Sequence, residues 1–228
     1  MIVGSLDYSI ASSGACKFIL DDNLNVIQKD YLSFTQSKKF QKKDNIIYYK
    51  KDQFKDHYER IIWIRDSLFN FLNGCDYIAL EDYAFGASGR VFDIAEGCGL
   101  IKTQLYETGH KLRLYDPPSI KKYATGMGNS DKIHMEEDYE KIDINNRFNL
   151  NFLPFVKDNK SGNPKDNIID AYFIGQLLIL ELKVRHGIIL LKDLNPKIIE
   201  IFNKVSNHYK DNLLVREFIE KRKDVNQA

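Results

Sequence analysis

The sequence contains few of the residues that build zinc centres or disulfide frameworks. Among its 228 residues there are only three cysteines, Cys16, Cys75 and Cys98, and five histidines. The cysteines are widely spaced and cannot all pair with one another, so we expect buried, reduced thiols. The histidines are equally dispersed along the chain, and a zinc site is therefore not expected.

Long hydrophobic runs are also missing. No apolar run approaches the roughly 18 residues that a membrane-spanning helix needs. Met1 leads directly into a strand-like segment, without the basic and apolar regions of a signal peptide, so we expect a cytoplasmic protein. The hydrophobic fraction of 43% and the charged fraction of 29% are those of an ordinary globular chain, long enough for one domain with additions.

A large excess of charge of one sign is absent as well. The net charge is +1, which neither favours nor excludes a nucleic-acid partner. Basic residues are nevertheless concentrated in an apparent insertion at about residues 35–55, which contains Lys38, Lys39, Lys42, Lys43, Lys50, Lys51 and Lys55. Two interpretations of these lysines stay open: a solvated loop, or a surface that contacts phosphates.

Hydrophobic periodicity predicts three strands at the start of the chain, followed by helices that alternate with strands. The predicted strands are residues 2–10, 16–20, 24–34, 77–80 and 111–116. The predicted helices are residues 54–73, 90–107, 130–141 and 165–187, with a basic turn at 119–132 and two further helices after residue 187.

This order of elements predicts the fold. The first three strands are expected to form an antiparallel meander, and the later strands, which helices connect, to be parallel. The result is an α/β protein with a mixed sheet flanked by helices, the order of a ribonuclease H-like fold. We assign residues 1–187 to this domain and residues 188–228 to a helical C-terminal extension.

Four acidic residues occupy positions from which they can form one site. Asp7 lies in the first strand, Glu81 ends the strand after the first helix, and Asp166 and Asp170 begin the long apolar helix. If the two strands are neighbours, Asp7 and Glu81 lie side by side, and residues four apart share a helix face. Clustered carboxylates need cations, so this set predicts a site for two Mg²⁺ ions, with Mn²⁺ as a substitute.

Each acid also has a structural interpretation. Glu81 can be a solvated strand end, and Asp166 can cap its helix. Asp7 and Asp170 are harder to explain in this way, because both are embedded in apolar sequence where an unpartnered carboxylate is costly.

The segments that carry these acids resemble the RuvC family of Holliday junction resolvases. The resemblance covers roughly residues 1–34 and 75–183, through "GSLDYSIASSG", "YIALEDYAFG", "SIKKYATGMGNSDK" and "DNIIDAYFIGQLL". It implies a crossover junction endodeoxyribonuclease that nicks four-way DNA junctions, with Asp7, Glu81 and Asp170 as metal ligands. It also implies phosphate contacts from Lys121 or Lys122 together with Lys132.

The resemblance further implies a homodimer, for which the helix at 90–107 is the expected interface. An aromatic residue after the second acid can enter the junction in this family, and Tyr83 and Phe85 are the candidates here, with core packing as the alternative. Arg90 is also expected to contact DNA. The composition, rich in Lys, Asn and Ile, suits an AT-rich genome. The resemblance includes compact phage-type members, and a phage-encoded protein would act in the cytoplasm of its host cell.

The sequence departs from the family at one metal position. The family places an acid or histidine three residues before the last aspartate, where this chain has Asn167. A neutral amide is a poor Mg²⁺ ligand, so we favour Asp166 as the fourth ligand and keep Asn167 as the alternative.

Three other functions stay open from the sequence. Another nuclease of the same fold, acting on flaps or RNA–DNA hybrids, would use the same carboxylates. An actin-like ATPase also opens with an aspartate-bearing strand, but needs a second related domain for which there is little room. A junction-binding protein without catalytic activity would not need all four acids.

Overall fold

The computed structural model describes residues 1–41, 43, 45–83, 91–154 and 163–208. Within these residues, six strands form one sheet in the order β4-β3-β2-β1-β5-β6. The strands are β1 (Ile2–Asp7), β2 (Gly14–Leu20), β3 (Val26–Thr35), β4 (Ile46–Tyr48), β5 (Tyr77–Glu81) and β6 (Lys111–Tyr115).

Helices cover both faces of this sheet. They are α1 (His57–Leu72), α2 (Val91–Glu107), α3 (Pro117–Thr125), α4 (Lys132–Lys141), α5 (Pro164–Arg185) and α6 (Pro196–His208). Among the described residues, no helix has the length and apolar character needed to cross a membrane.

The strand directions confirm the predicted mixed sheet. Strands β1, β2 and β3 form an antiparallel meander, whereas β5 and β6 continue from β1 in parallel pairing. The predicted α/β, ribonuclease H-like architecture is therefore confirmed. The alternation of side chains along each strand divides the core into two layers. Val3 and Ala79 face a layer built around α5, while Leu6 and Leu80 face the layer that contains α1 and α2.

The lysine-rich insertion contributes regular structure. Residues 46–48 form β4, which pairs in parallel with β3, Ser33 opposite Ile46. Phe40, earlier in the insertion, is buried in the layer around α5, and Tyr49 is buried in the opposite layer. The insertion thus extends the sheet at its edge, and these two buried aromatic residues anchor it to both core layers.

The prediction of an irregular basic turn at 119–132 was wrong over its first half. Residues 117–125 form helix α3. Asp116 caps this helix by accepting a hydrogen bond from the Ser119 amide, and Gly126 ends it at a φ of 77°. The two prolines occupy its first turn, where the absence of an amide hydrogen costs nothing, so they begin a helix instead of closing a strand.

The start of the C-terminal extension packs against the domain. Helix α6 contacts α3 through two ion pairs, Lys204 with Asp116 and Lys122 with Glu200, both with 2.7 Å between nitrogen and oxygen. Ile201 and Phe202 of α6 are buried in the layer around α5. The division of the chain at residue 187 stays a prediction.

Candidate active site

The sheet brings Asp7 and Glu81 together at its centre. β1 and β5 are parallel neighbours, with Leu6 opposite Leu80, so the next residue of each strand lies beside the other. Both side chains point to the α5 side of the sheet, because alternate residues share a face and Ser5, two residues before Asp7, donates a hydrogen bond to the Ala171 carbonyl of α5 at 2.6 Å.

Two glycines let α5 approach the sheet closely. A Cβ on Gly14 of β2 would lie 2.2 Å from the Asn167 carbonyl oxygen, and one on Gly175 would lie 2.3 Å from the Phe18 ring. A side chain at either position would push the helix away from the strands. The short separation places the first turns of α5, which carry Asp166 and Asp170, over the end of β1.

The carboxyl groups of Asp7, Glu81 and Asp170 perturb one another. Burial and then the charge of Glu81 raise the pKa of Asp7, which also hydrogen-bonds with Glu81. Burial and the charge of Asp170 raise the pKa of Glu81 to about 7. Burial and the charge of Asp7 raise the pKa of Asp170 to about 8. Proteins place such mutually repelling carboxyls together where a cation or proton transfer is used.

Two lysines face this cluster. Lys132, the first residue of α4, forms an ion pair with Asp166. Burial lowers the pKa of Lys132, but the carboxylates of Asp166 and Asp170 outweigh this effect, and the net shift is upward. Lys121 of α3 acts electrostatically on Glu81 and Asp170 and favours their ionised forms. The cluster is thus bordered by two positive charges from separate helices.

Asp166 and Asn167 point to different neighbours. The charge of Asp166 raises the pKa of both Asp7 and Asp170, so its carboxylate belongs to the same cluster. The buried Asn167 instead donates a hydrogen bond from Nδ2 to the Ser12 Oγ of the β1–β2 turn, at 2.6 Å. This geometry favours Asp166 over Asn167 as the fourth member of the cluster.

The other predicted DNA-binding residues are not all at this site. Lys122 binds Glu200 of α6, so the structure separates it from its neighbour Lys121. Tyr83 lies just beyond β5 with its ring 3.9 Å from the Lys102 ammonium, which is also 3.5 Å from Asp82. Phe85 and Arg90 lie outside the described residues.

A buried ion pair that the sequence did not reveal supports the site. Lys165, one residue before Asp166, lies 2.5 Å from Glu136 of α4, and Glu140 is 3.4 Å from the same ammonium. No sequence pattern connects Glu136 with Lys165. Their charges lie 29 positions apart in sequence and meet only because α4 packs on α5.

A second buried charge cluster fixes the far half of α5. Glu181 accepts hydrogen bonds from Tyr115 and Arg185, at 2.5 and 2.8 Å, and forms an ion pair with Arg113. Arg113 and Tyr115 belong to β6, so this cluster connects the helix to the edge of the sheet. It holds α5 in register while its first turns carry the acids.

The donor chemistry of the acid cluster fits a hard divalent cation. Its members offer only carboxylate oxygens, the ligands that Mg²⁺ and Mn²⁺ prefer over the nitrogen and sulfur ligands of zinc. Burial and mutual repulsion raise the pKa values of Glu81 and Asp170, so a bound cation would favour their ionised forms. Among the described residues, no three His, Cys, Asp or Glu side chains already converge as a metal cage.

Solved structures share this architecture. Thermus thermophilus RuvC aligns over 82% of this chain and 97% of its own, with 15% identity and a TM-score of 0.51. T. thermophilus RuvC in complex with a Holliday junction substrate aligns over the same shares, with 16% identity and a TM-score of 0.52. A complex of Fowlpox virus resolvase with Holliday junction DNA covers 80% of this chain and 99% of its own, with 16% identity and a TM-score of 0.44.

These comparisons show the fold. No known sequence family and no curated protein sequence matches the chain. The predicted likeness to RuvC is confirmed at the level of architecture by the two T. thermophilus structures, which span most of both chains.

Proposed function

We propose that this protein is a Holliday junction resolvase, an endonuclease that makes paired symmetrical nicks in four-way DNA junctions. The observation that carries the proposal is that Asp7 and Glu81 end the neighbouring strands β1 and β5 and interact electrostatically with Asp170 of α5, on a RuvC-like fold. The aligned T. thermophilus RuvC structure contains a Holliday junction substrate, which supports branched DNA as the partner.

The proposed cofactor is Mg²⁺, with two ions at each active site and Mn²⁺ as a substitute. Asp7, Glu81, Asp166 and Asp170 would hold these ions. When bound, such ions lower the pKa of an attacking water and stabilise the leaving oxygen of a phosphodiester. The mutual repulsion of the carboxyls supports this assignment, because cation binding would release it.

The chain's own positive charges are proposed to position the phosphate. Lys132 and Lys121 border the acid cluster from α4 and α3. A phosphodiester brought to the acids carries a negative charge that the acids repel. The two ammonium groups offset this repulsion and orient the phosphate. Lys122 contributes little to this step, because it is engaged by Glu200.

A homodimer is proposed because two symmetrical nicks need two active sites. Helix α2 exposes Phe92, Leu100 and Tyr106, with relative exposures of 87%, 37% and 64%. These residues recur at helical spacing and leave an apolar surface on the face of the sheet opposite the acids, which supports α2 as the dimer interface. A cytoplasmic role in DNA recombination and repair, within the host cell for a phage protein, completes the proposal.

Cleavage of a labelled four-way junction in Mg²⁺ tests the proposal. Linear duplex, flap and RNA–DNA hybrid substrates are compared with the junction in the same assay, together with the variant Glu81→Gln. The expected result is symmetrical nicking of the junction alone, abolished by Glu81→Gln while junction binding is retained. Preference for the flap or the hybrid would replace the substrate and keep the metal-dependent chemistry. Absence of cleavage of any substrate would contradict the nuclease function.

A further inference from the structure

We propose that the lysines Lys38, Lys39, Lys50 and Lys51 of the insertion bind the phosphate backbone of a DNA arm that leads away from the acid cluster. These four residues are called the insertion lysines. The inference rests on the proposed function and adds to it a second DNA-binding surface, which accounts for a segment whose role the sequence left open.

Strand direction places the insertion lysines at the same edge of the sheet as the acids. β3 runs in the direction of β1, because β2 is antiparallel to both, and β4 is parallel to β3. Lys38 and Lys39 follow the carboxyl end of β3, and Lys50 and Lys51 follow the carboxyl end of β4. Asp7 and Glu81 lie at the carboxyl ends of β1 and β5, so all these residues face the same end of the molecule.

The strand register gives the distance between the two surfaces. Asp7 pairs with Gly14, Gly14 with Ser33, and Ser33 with Ile46. Three strand spacings of about 4.8 Å separate β1 from β4, and Lys50 lies four residues beyond Ile46 at about 3.3 Å per residue. The backbone of Lys50 is therefore about 20 Å from that of Asp7. At a rise of about 3.4 Å per base pair, this distance corresponds to about six base pairs of DNA.

The insertion is anchored beside the active site. The buried Tyr49 side chain donates its hydroxyl hydrogen to the β1–β2 turn, with Ile10 O at 2.9 Å, and accepts one from Gln36 at 2.7 Å. Its ring packs against Phe54 and Trp63, with centroids 5.9 and 5.6 Å apart. Because Tyr49 directly precedes Lys50, these contacts fix the backbone from which the lysines project, and binding costs less conformational entropy than it would for a free loop.

The charge of this surface is left for an external partner. All four side chains are exposed, and none forms an ion pair with another residue in the part of the chain that the structure describes. Other lysines, such as Lys122, Lys132 and Lys165, do have acidic partners there. With a net charge of only +1, DNA binding must depend on local concentrations of positive charge. The regularly spaced phosphates of a DNA strand are complementary in charge to these four ammonium groups, which have no acidic partner within the described ranges.

The test compares two variants of equal net charge. In the first, Lys38, Lys39, Lys50 and Lys51 are all changed to Gln. In the second, a matched control, Lys29, Lys111, Lys183 and Lys192 are changed to Gln. Lys29 of β3 and Lys111 of β6 lie level with the amino ends of β1 and β5, at the end of the sheet opposite the acids. Lys183 lies in the last turn of α5, and Lys192 lies seven residues after that helix ends. Junction affinity is measured by fluorescence anisotropy over a range of salt concentrations, with cleavage at saturating protein recorded in parallel.

The insertion variant is expected to bind the junction about tenfold to a hundredfold more weakly at 0.1 M salt. The slope of log affinity against log salt concentration should become shallower by about two to four, one unit for each lost phosphate contact. The control should bind within about threefold of the wild-type protein. The cleavage rate at saturation should be unchanged in both, because neither set belongs to the acid cluster. Neutral methylphosphonates placed about six nucleotides from the nick should lower the affinity of the wild-type protein for the junction. They should not lower the affinity of the insertion variant any further.

Equal affinity and equal salt dependence for the two variants would overturn the inference. If the wild-type protein cuts the junction in that case, the proposed function stands while the inference fails. If the wild-type protein binds DNA without cutting it, the nuclease function fails, and the comparison of the two variants still decides the inference. If the wild-type protein binds no DNA, both are overturned.

Discussion

Glu136 of α4 and Lys165 of α5 form a buried ion pair whose charged atoms are 2.5 Å apart. One turn before Glu136 on the same helix, Lys132 pairs with Asp166, the residue next to Lys165. Two ion pairs therefore join the helices, and α4 supplies the cation in one pair and the anion in the other. The buried pair fixes the position of α4, and the more exposed pair directs Lys132 toward the carboxylates.

The change Glu136→Gln tests the structural role of the buried pair. It leaves the Lys165 ammonium buried with only the more distant Glu140, at 3.4 Å. Removal of one partner of a buried pair costs about 3–5 kcal/mol, and the remaining carboxylate reduces this loss to about 2–3 kcal/mol of unfolding free energy. Urea unfolding measures it. Glu137→Gln, an exposed neighbour, should change stability by less than about 0.5 kcal/mol. Equal stability of the two variants would contradict the account.

The adjacent residues Lys121 and Lys122 provide a matched pair for catalysis. Lys121 acts on Glu81 and Asp170, whereas Lys122 binds Glu200. Lys121→Met should therefore reduce the single-turnover rate of junction cleavage by about tenfold to a hundredfold, the size of a lost charge contact to the phosphate. Lys122→Met should stay within about threefold of the wild-type rate. The reverse order of the two effects would show that α3 presents its other face to DNA.

The fold was largely predictable because its signals are local. Apolar alternation marks β1, β2 and β3, and the acids at the ends of β1 and β5 follow from strand order. Helix α3 was missed because Pro117 and Pro118 are common both at helix starts and at strand ends, and only the cap by Asp116 decides between them. The Glu136–Lys165 pair was not predictable, since it depends on how two helices pack.

The raised pKa values predict that the metal-free protein loses stability as pH rises. Burial and neighbouring carboxylates raise the pKa of Asp170 to about 8 and that of Glu81 to about 7. In the folded state these groups therefore keep protons that the unfolded chain releases near pH 4. The folded state therefore binds more protons between about pH 5 and 8, and the free energy of unfolding decreases across this interval. Urea unfolding in a chelator should show a loss of several kcal/mol from pH 5.5 to 8.5, at about 1.4 kcal/mol for each retained proton and pH unit.

Two further measurements separate this effect from a general response to pH. Asp170→Asn should flatten the pH dependence, whereas Asp22→Asn, a change of an exposed carboxylate, should leave it unchanged. Mg²⁺ should restore stability at pH 8.5, because it binds the ionised carboxylates of the folded state. Stability that rises with pH in the absence of metal would contradict the assignment of these pKa shifts.

The exposed face of α2 predicts the effect of a charge at the proposed interface. Leu100→Arg places a charge where we expect two copies of the chain to meet. It should weaken dimer formation by at least about tenfold, as measured by analytical ultracentrifugation. Ile27→Arg is the matched control, because Ile27 is also an exposed apolar residue, with 66% exposure, but lies on β3. Dissociation caused by Ile27→Arg alone would move the interface to the meander.

Paired cutting can be measured on a supercoiled plasmid that extrudes a cruciform, a four-way junction within closed circular DNA. The acid cluster of a dimeric resolvase should cut two opposed strands within one binding event in Mg²⁺. Paired cutting predicts linear plasmid as the first product, and no cleavage by Asp170→Asn. Nicked circles that accumulate without linear product, or full cleavage by Asp170→Asn, would contradict paired cutting by this cluster.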